Sequence, residues 1–310
     1  MQNLSKNNVL VLVGPTASGK TTLSIEVAKV LGAEIISADS RQVYKGIRIA
    51  SAVPSIKERQ GIKHYFLEFL KPFEDYNAGE FGKQARALID NLFKENILPV
   101  IAGGSGLYIK SCIDGFFEEE TRDDDIRLKL YDELENYGKE HLHDKLKVID
   151  PESASVISTA YYRRVIRALE VYYITGKKMS ELQKEKPEIN FNAIQVGLSL
   201  DRKYLYQRIN KRVDNMFDSG LIEEVTALKS KGYHYKTHNA LNTVGVKEVF
   251  RYLENDISYE TMVDSIKQNS RRYAKRQMTW FNKDKRIKWI EVTENKSTEK
   301  LCNEVIKIFK

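Results

Sequence analysis

The chain of 310 residues, 42% apolar and 30% charged, is long enough to bury a sizeable core and reads as a globular protein with one large domain and a smaller unit. Its two cysteines, Cys112 and Cys302, lie far apart with no Cys/His cluster near either, which excludes a disulfide framework and a zinc site; both are expected to be buried apolar residues. The net charge of +7 is concentrated late in the chain: residues 201–310 carry 23 Lys or Arg against 15 Asp or Glu, which favours a polyanionic partner, whereas residues 116–195 carry 13 against 17.

The first apolar run, residues 9–13, is too short for a signal segment or a membrane span, so a cytoplasmic protein without membrane association is expected, acting as a monomer. Bounded by Gly14, that run has the pattern of a parallel strand covered on both faces, and apolar Leu23, Val27 and Leu31 follow at helical spacing. A second strand is expected at 34–38, a helix near 79–95 and a third strand at 98–102 ending in Gly103-Gly104. From about 116 to 191 strand signals vanish and the text reads as helices, opened by acidic residues at 118–120 and 123–125. Strand patterning returns at 194–200 and near 287–292, separated by amphipathic helical stretches around 203–231, 243–254 and 259–282. The expected fold is therefore α/β, a P-loop NTPase-like parallel sheet flanked by helices, with residues 1–115 and 192–310 forming a discontinuous core domain and 116–191 an all-helical insertion.

Between the first strand and helix, Gly14-Pro15-Thr16-Ala17-Ser18-Gly19-Lys20-Thr21 fits G-x-x-x-x-G-K-[ST] in the strand–loop–helix context that mechanism requires. The glycines let backbone amides turn inward around phosphate oxygens, the helix dipole adds positive potential, Lys20 neutralises charge and Thr21 offers a hydroxyl to Mg²⁺. Tight strand–helix packing alone gives no reason for a lysine followed by threonine. By itself the loop suggests ATP or GTP and does not say whether the phosphate is transferred, hydrolysed or leaves.

Asp39 closes the second apolar stretch, where a carboxylate could hold Mg²⁺, act as a general base facing the phosphates, or cap the next turn; the residues alone leave all three open. The pair His141-x-His143 invites a metal, yet no third and fourth ligand lie nearby, so no zinc is expected. Tyr273 and Trp280, seven residues apart among Arg271, Arg272, Lys275 and Arg276, suggest a helix packed on the core with its charges turned to phosphate or water.

The stretches GPTASGKT at 14–21, DSRQVYKG at 39–46 and GGSGLY at 103–108 make the chain resemble the tRNA dimethylallyltransferases, which prenylate adenine beside the anticodon. Later blocks agree, namely the run from Arg163 to Glu170, Arg212-Val-Asp-Asn-Met216 with Gly220-Leu-Ile-Glu-Glu224, and the run from Lys275 to Trp280. The resemblance implies that the loop holds dimethylallyl diphosphate, with Mg²⁺ on Thr21, and that Asp39 is the base accepting a proton from the adenine amine. It gives a catalytic role also to Ser105, standing where the family usually has threonine, whose hydroxyl could hydrogen-bond the base or the leaving group, and it sets Asp39, Ser40, Arg41, Gln42, Ser105, Arg127, Arg163, Arg164 and Arg167 against tRNA, with the helical insertion on the anticodon stem-loop. On the stretch 161–173, Arg163, Arg164 and Arg167 share one helical face and Val165, Leu169 and Tyr172 another. An adenine in a folded anticodon loop reaches such a site only by being extruded, at a few kcal/mol.

Two departures stand out. Ala50-Ser51-Ala52-Val53 replaces the family's common Gly-Thr-Ala-Lys run, removing one expected cation, and Ala160-Tyr161 stands where Asn-Asp is usual. Rival readings are a P-loop kinase of a nucleotide or small metabolite, which leaves DSRQ, GGSGLY and the basic helices without purpose; a prenyltransferase of free adenine nucleotide, which needs no helical insertion; and a tRNA-binding paralogue with lost catalysis.

Overall fold

The computed structural model describes residues 7–117, 122–185 and 187–310, so the acidic residues expected at 118–120 lie outside the described residues. In chain order the elements are β1 (Asn8–Val13), α1 (Lys20–Leu31), β2 (Ala33–Ser37), α2 (Arg48–Ser51), α3 (Ile56–Arg59), β3 (His64–Tyr65), α4 (Ala78–Lys94), β4 (Leu98–Gly103), α5 (Gly106–Ile113), α6 (Asp124–Ile149), α7 (Pro151–Val156), α8 (Tyr162–Thr175), α9 (Met179–Leu182), β5 (Asn192–Ser199), α10 (Arg202–Asp218), α11 (Leu221–Ser230), α12 (Val246–Leu253), α13 (Tyr259–Phe281), β6 (Lys288–Glu291) and α14 (Thr298–Phe309).

The six strands form one parallel sheet in the order β3-β2-β4-β1-β5-β6. Val9 to Val13 are all fully buried, as a strand covered on both faces requires, and Leu10, Leu12, Ile35, Val100, Val196 and Leu198 pack with Leu23 and Val27 of α1 and Val305 and Phe309 of α14. Because Val13 pairs with Gly103 and Ser37 with Ala102, the carboxyl ends of β1, β4 and β2 are level. Parallel α/β sheets place their ligands at that edge, where the strand order reverses.

Several elements depart from the sequence reading, among them α14, which follows the last expected strand. The stretch 203–231 is two helices, because Gly220 takes φ 92° and restarts the chain as the N-cap of α11. The two-residue strand β3, paired with Ile35 and Ile36, was not expected, since so short an edge strand has no room for a periodic pattern.

The chain divides into two compact units. One comprises Met1–Ile113 and Ile189–Lys310, the other Asp114–Glu188. The second has its own core of Leu130, Leu142, Leu146, Val165, Ile166, Leu169, Val171 and Leu182 from α6, α8 and α9. Its Asp150 is buried at the start of α7, where Oδ1 accepts from Ser153 N and Ser180 Oγ and Oδ2 from Ser180 N, so the carboxylate is satisfied by its neighbours and needs no metal. His143 of the histidine pair is likewise taken up, its Nε2 lying 2.7 Å from Ile157 O. Among the described residues no group of three or more His, Cys, Asp or Glu could hold a metal ion, and no helix is long and apolar enough to cross a membrane.

Candidate active site

The phosphate loop turns at Ala17 (φ 61°) and enters α1 through Gly19 (φ 94°). No side chain caps α1 and no acidic residue lies in its first turn, so its leading amides and the positive end of its dipole are available to an anion. Lys20 folds back over the loop, with Nζ 2.7 Å from Pro15 O and 3.5 Å from Ser18 Oγ. Burial brings its pKa down from 10.5 to about 7, with Asp39 opposing the fall and Arg212 adding to it. A desolvated ammonium with only neutral acceptors in reach is poised for an anion.

Asp39 follows β2, whose end is fixed by bonds from Ala38 N to Ala102 O (2.9 Å) and from Ser105 N to Ala38 O (3.1 Å). The close approach explains Gly103, where a Cβ would meet Ala38 O at 2.1 Å. Asp39 Oδ1 accepts from Arg41 N at 2.9 Å, so the carboxylate caps the turn, and its residue also lines the central cavity. The capping reading is met, and the place of Asp39 on the cavity wall leaves a chemical role open to it. Ser40 lines the same cavity. Ser105 does not: it starts α5, accepting from Ile109 N at 3.0 Å, one residue beyond the lining residue Gly104.

Arg41 and Gln42 are anchored by the protein itself. The Arg41 guanidinium donates to Asn239 O at 2.8 Å and the Gln42 amide accepts from Ser37 Oγ (2.8 Å) while donating to Ser51 O and Ala52 O (3.2 and 2.9 Å). Gln42 thus braces the departure Ala50-Ser51-Ala52-Val53 against β2. The same segment is held from its other side by Glu224, which accepts from Ile49 N (2.8 Å) and Ala50 N (3.1 Å), and whose pKa is raised by burial against those two amide bonds.

Three residues of α10 and α13 that received no role from the sequence reach the loop. Arg208 Nε donates to Ala17 O at 2.8 Å and Arg212 donates to Thr16 Oγ1 at 2.7 Å, four residues apart and so on one face of α10. Gln277 of α13 accepts from Thr16 N at 2.8 Å and donates to Gly104 O at 3.0 Å. Burial depresses the Arg212 pKa, with Asp39 opposing, so this guanidinium, Lys20 and Asp39 share one electrostatic environment. Tyr273 also lines the cavity, its phenol pushed upward by burial and by Asp39, and Trp280 is 39% exposed with its ring against Gly106. The helix α13 packs on the core as expected, but through Met262, Ile266, Ala274 and Phe281 rather than through the two aromatics, and turns Tyr273 and Gln277 to the loop.

In the helical unit, Glu170 is fully buried and its Oε2 accepts from Arg127 and from Arg167, each at 2.9 Å. Arg163 and Arg164 are exposed, with their guanidinium carbons 5.8 and 5.1 Å from the rings of Tyr162 and Tyr161. Arg167 is therefore set apart from the two arginines it was grouped with, while Val165 and Leu169 are buried as expected.

The profile of the IPP transferase family matches residues 42–284. The chain is a member of that family. Similar proteins include the tRNA dimethylallyltransferase of Acetivibrio thermocellus, 45% identical over 300 residues with 95% of each chain covered, and that of Anoxybacillus flavithermus, 42% identical with 96% of this chain and 94% of that one covered. The solved full-length tRNA isopentenylpyrophosphate transferase of Bacillus halodurans superposes with a TM-score of 0.72 at 36% identity, covering 98% of this chain and 97% of the other. A eukaryotic dimethylallyltransferase solved acting on tRNA gives 0.80 at 27% identity, covering 97% of this chain and 80% of the other.

In this IPP transferase the loop, Asp39, Gly103, Gly104, Arg208, Arg212 and Tyr273 all line one cavity of about 900 Å³, far larger than a diphosphate alone requires. Its polar wall comes from the carboxyl edge of the sheet and from α10 and α13, so an anion at the loop and a second reactant beside Asp39 would share one space.

Proposed function

We propose that this transferase moves a dimethylallyl group from dimethylallyl diphosphate to the exocyclic amine of the adenine 3′ to the anticodon of tRNA, releasing diphosphate. The observation that carries this reading is the meeting, in one cavity, of a phosphate loop with its lysine and a carboxylate at the end of β2. The amine lone pair forms a bond to the allylic carbon, the carbon–oxygen bond breaks with its electron pair passing to the diphosphate, and Asp39 accepts the proton from nitrogen. The amine is a weak nucleophile because its lone pair is delocalised into the ring, which is why a base is needed. Negative charge grows on the departing diphosphate, and Lys20, the loop amides and Arg212, which meets the loop at Thr16, would stabilise it as it grows.

Mg²⁺ fits the donor set: Thr21 offers an exposed hydroxyl on the cavity wall, the kind of single protein oxygen that an ion taking its other oxygens from diphosphate and water would use. Bound there, it would neutralise charge on the leaving group. Arg163 and Arg164, exposed beside Tyr161 and Tyr162, suit an RNA backbone with neighbouring bases, and Glu170 holds Arg127 and Arg167 in fixed orientation for the same partner. The test is mass spectrometry of unmodified anticodon stem-loop RNA incubated with protein, Mg²⁺ and dimethylallyl diphosphate, with ATP replacing the donor in parallel. Gain of one five-carbon group on the loop adenine is expected; RNA binding without that gain would leave a paralogue that has lost catalysis, and ATP turnover without it would leave a kinase.

A further inference from the structure

Gln277 is 6% exposed on α13, yet both ends of its amide point at backbone groups of other segments. Thr16 N can only donate and Gly104 O can only accept, so the amide has one allowed orientation: Oε1 on the phosphate loop at 2.8 Å, Nε2 on the turn after β4 at 3.0 Å. The fit is tight, since a Cβ at residue 104 would lie 2.2 Å from Nε2. The turn it grips is the one beside Asp39, because the amide of Ser105 is bonded to Ala38 O and the Cβ space of Gly103 is filled by that same carbonyl. One side chain therefore spans the two halves of the site, the anion-binding loop on one hand and the end of β2 on the other. The bond to Thr16 also removes that amide from the set open to phosphate, leaving the amides at the start of α1 for the anion.

We propose that Gln277 is a positioning residue for the transfer, holding the phosphate loop and the turn beside Asp39 in register so that diphosphate binding sets the leaving group against the base. The proposal rests on the reading of the loop as the diphosphate site. Misplacement of reacting groups by about 1 Å costs on the order of 100-fold in rate, which is the scale of effect at stake.

The experiment compares Gln277→Met and Gln277→Glu with the unaltered protein, using calorimetric binding of inorganic diphosphate with Mg²⁺, anticodon stem-loop affinity and circular dichroism. Gln277→Met keeps the side-chain length and loses both bonds; diphosphate affinity is expected to fall about 10- to 100-fold, with the fold and RNA affinity retained. Gln277→Glu supplies a readout that packing alone would not move. Its carboxylate sets oxygen against the Gly104 carbonyl, whereas its protonated acid regains an O–H donor there and a carbonyl acceptor for Thr16 N. Its diphosphate affinity relative to the unaltered protein is therefore expected to climb at least about tenfold between pH 8 and pH 5.5. Affinity unchanged in folded Gln277→Met, or a flat ratio for Gln277→Glu, overturns the proposal while leaving the transferase reading intact; if Gln277→Met fails to fold, the pH ratio decides. No diphosphate binding by the unaltered protein overturns both.

Discussion

Replacing Lys20 with Met is expected to make the ligand-free protein more stable while abolishing its hold on diphosphate. In the free protein burial brings the ammonium's pKa from 10.5 to about 7. A lysine whose folded pKa lies below its unfolded one binds fewer protons when folded, so it weakens the fold most below pH 7, less as pH rises toward 10.5, and not at all above that. Those two pKa values put the cost at about 5 kcal/mol at pH 6, about 2 kcal/mol at pH 9 and under about 1 kcal/mol at pH 10. Methionine keeps the aliphatic stem and gives up the contacts to Pro15 O and Ser18 Oγ, a loss of about 1–2 kcal/mol. The net gain is about 3 kcal/mol at pH 6, disappearing near pH 9. Urea unfolding of both proteins without ligand, from pH 6 to pH 9.5, measures it, and subtracting one curve from the other removes every titrating group they share. A variant less stable than its parent at pH 6, or a difference that does not shrink as pH rises, would mean that the ammonium is already satisfied in the free protein, and the linkage worked out above would be refuted.

Binding of dimethylallyl diphosphate without RNA should return Lys20 to its charged form, with uptake of about 0.9 proton at pH 8 and about 0.1 at pH 6; calorimetry in buffers of different ionisation enthalpy reads it, and proton release at pH 8 would count against the assignment. Asp39→Asn keeps the bond from Arg41 N but cannot accept the amine proton, so kcat should fall at least about 100-fold with stem-loop Kd unchanged, and loss of RNA binding alone would argue against a base. Glu170→Gln leaves Arg127 and Arg167 without their shared anion and should cost about 1–3 kcal/mol, since both guanidiniums keep part of their contact with water, seen as a lowered Tm; an unaltered Tm would show that the pairing contributes nothing.

Local patterns were the legible part of this chain. The buried run at Val9–Val13, the glycine–lysine–threonine loop and the apolar spacing of α1 state their own geometry over a few residues, and the parallel sheet follows from them. What could not be read were contacts across the chain: Gln277 lies 261 residues from Thr16, and Arg208 lies 191 from Ala17, so even the recognised block around Gln277 does not say what its amide meets. Arg212 stood inside a recognised block with no role attached, and the i, i+4 spacing with Arg208 was the one available signal. Tyr273 and Trp280 misled because aromatic spacing on a helix reports a face without saying what the face meets. Arg167 was grouped with Arg163 and Arg164 because helical spacing is blind to Glu170, three residues further on, whose buried carboxylate claims it.

The position of β1 in the sheet has a consequence for synthesis on the ribosome. Its neighbours β4 and β5 flank it on either side, but the helical unit lies between them in the sequence, so one edge of β1 waits for a partner until residue 199 has been made. Until then a nascent chain carries an open, fully apolar strand edge directly before the phosphate loop, the kind of edge that templates aggregation. The guanidiniums of α10 and the amide of α13 emerge later still, so the loop becomes competent only after most of the chain has left the tunnel. Fragments ending before β5 should therefore be sticky and inert, and ligand binding in this enzyme doubles as proof that α13 has been made.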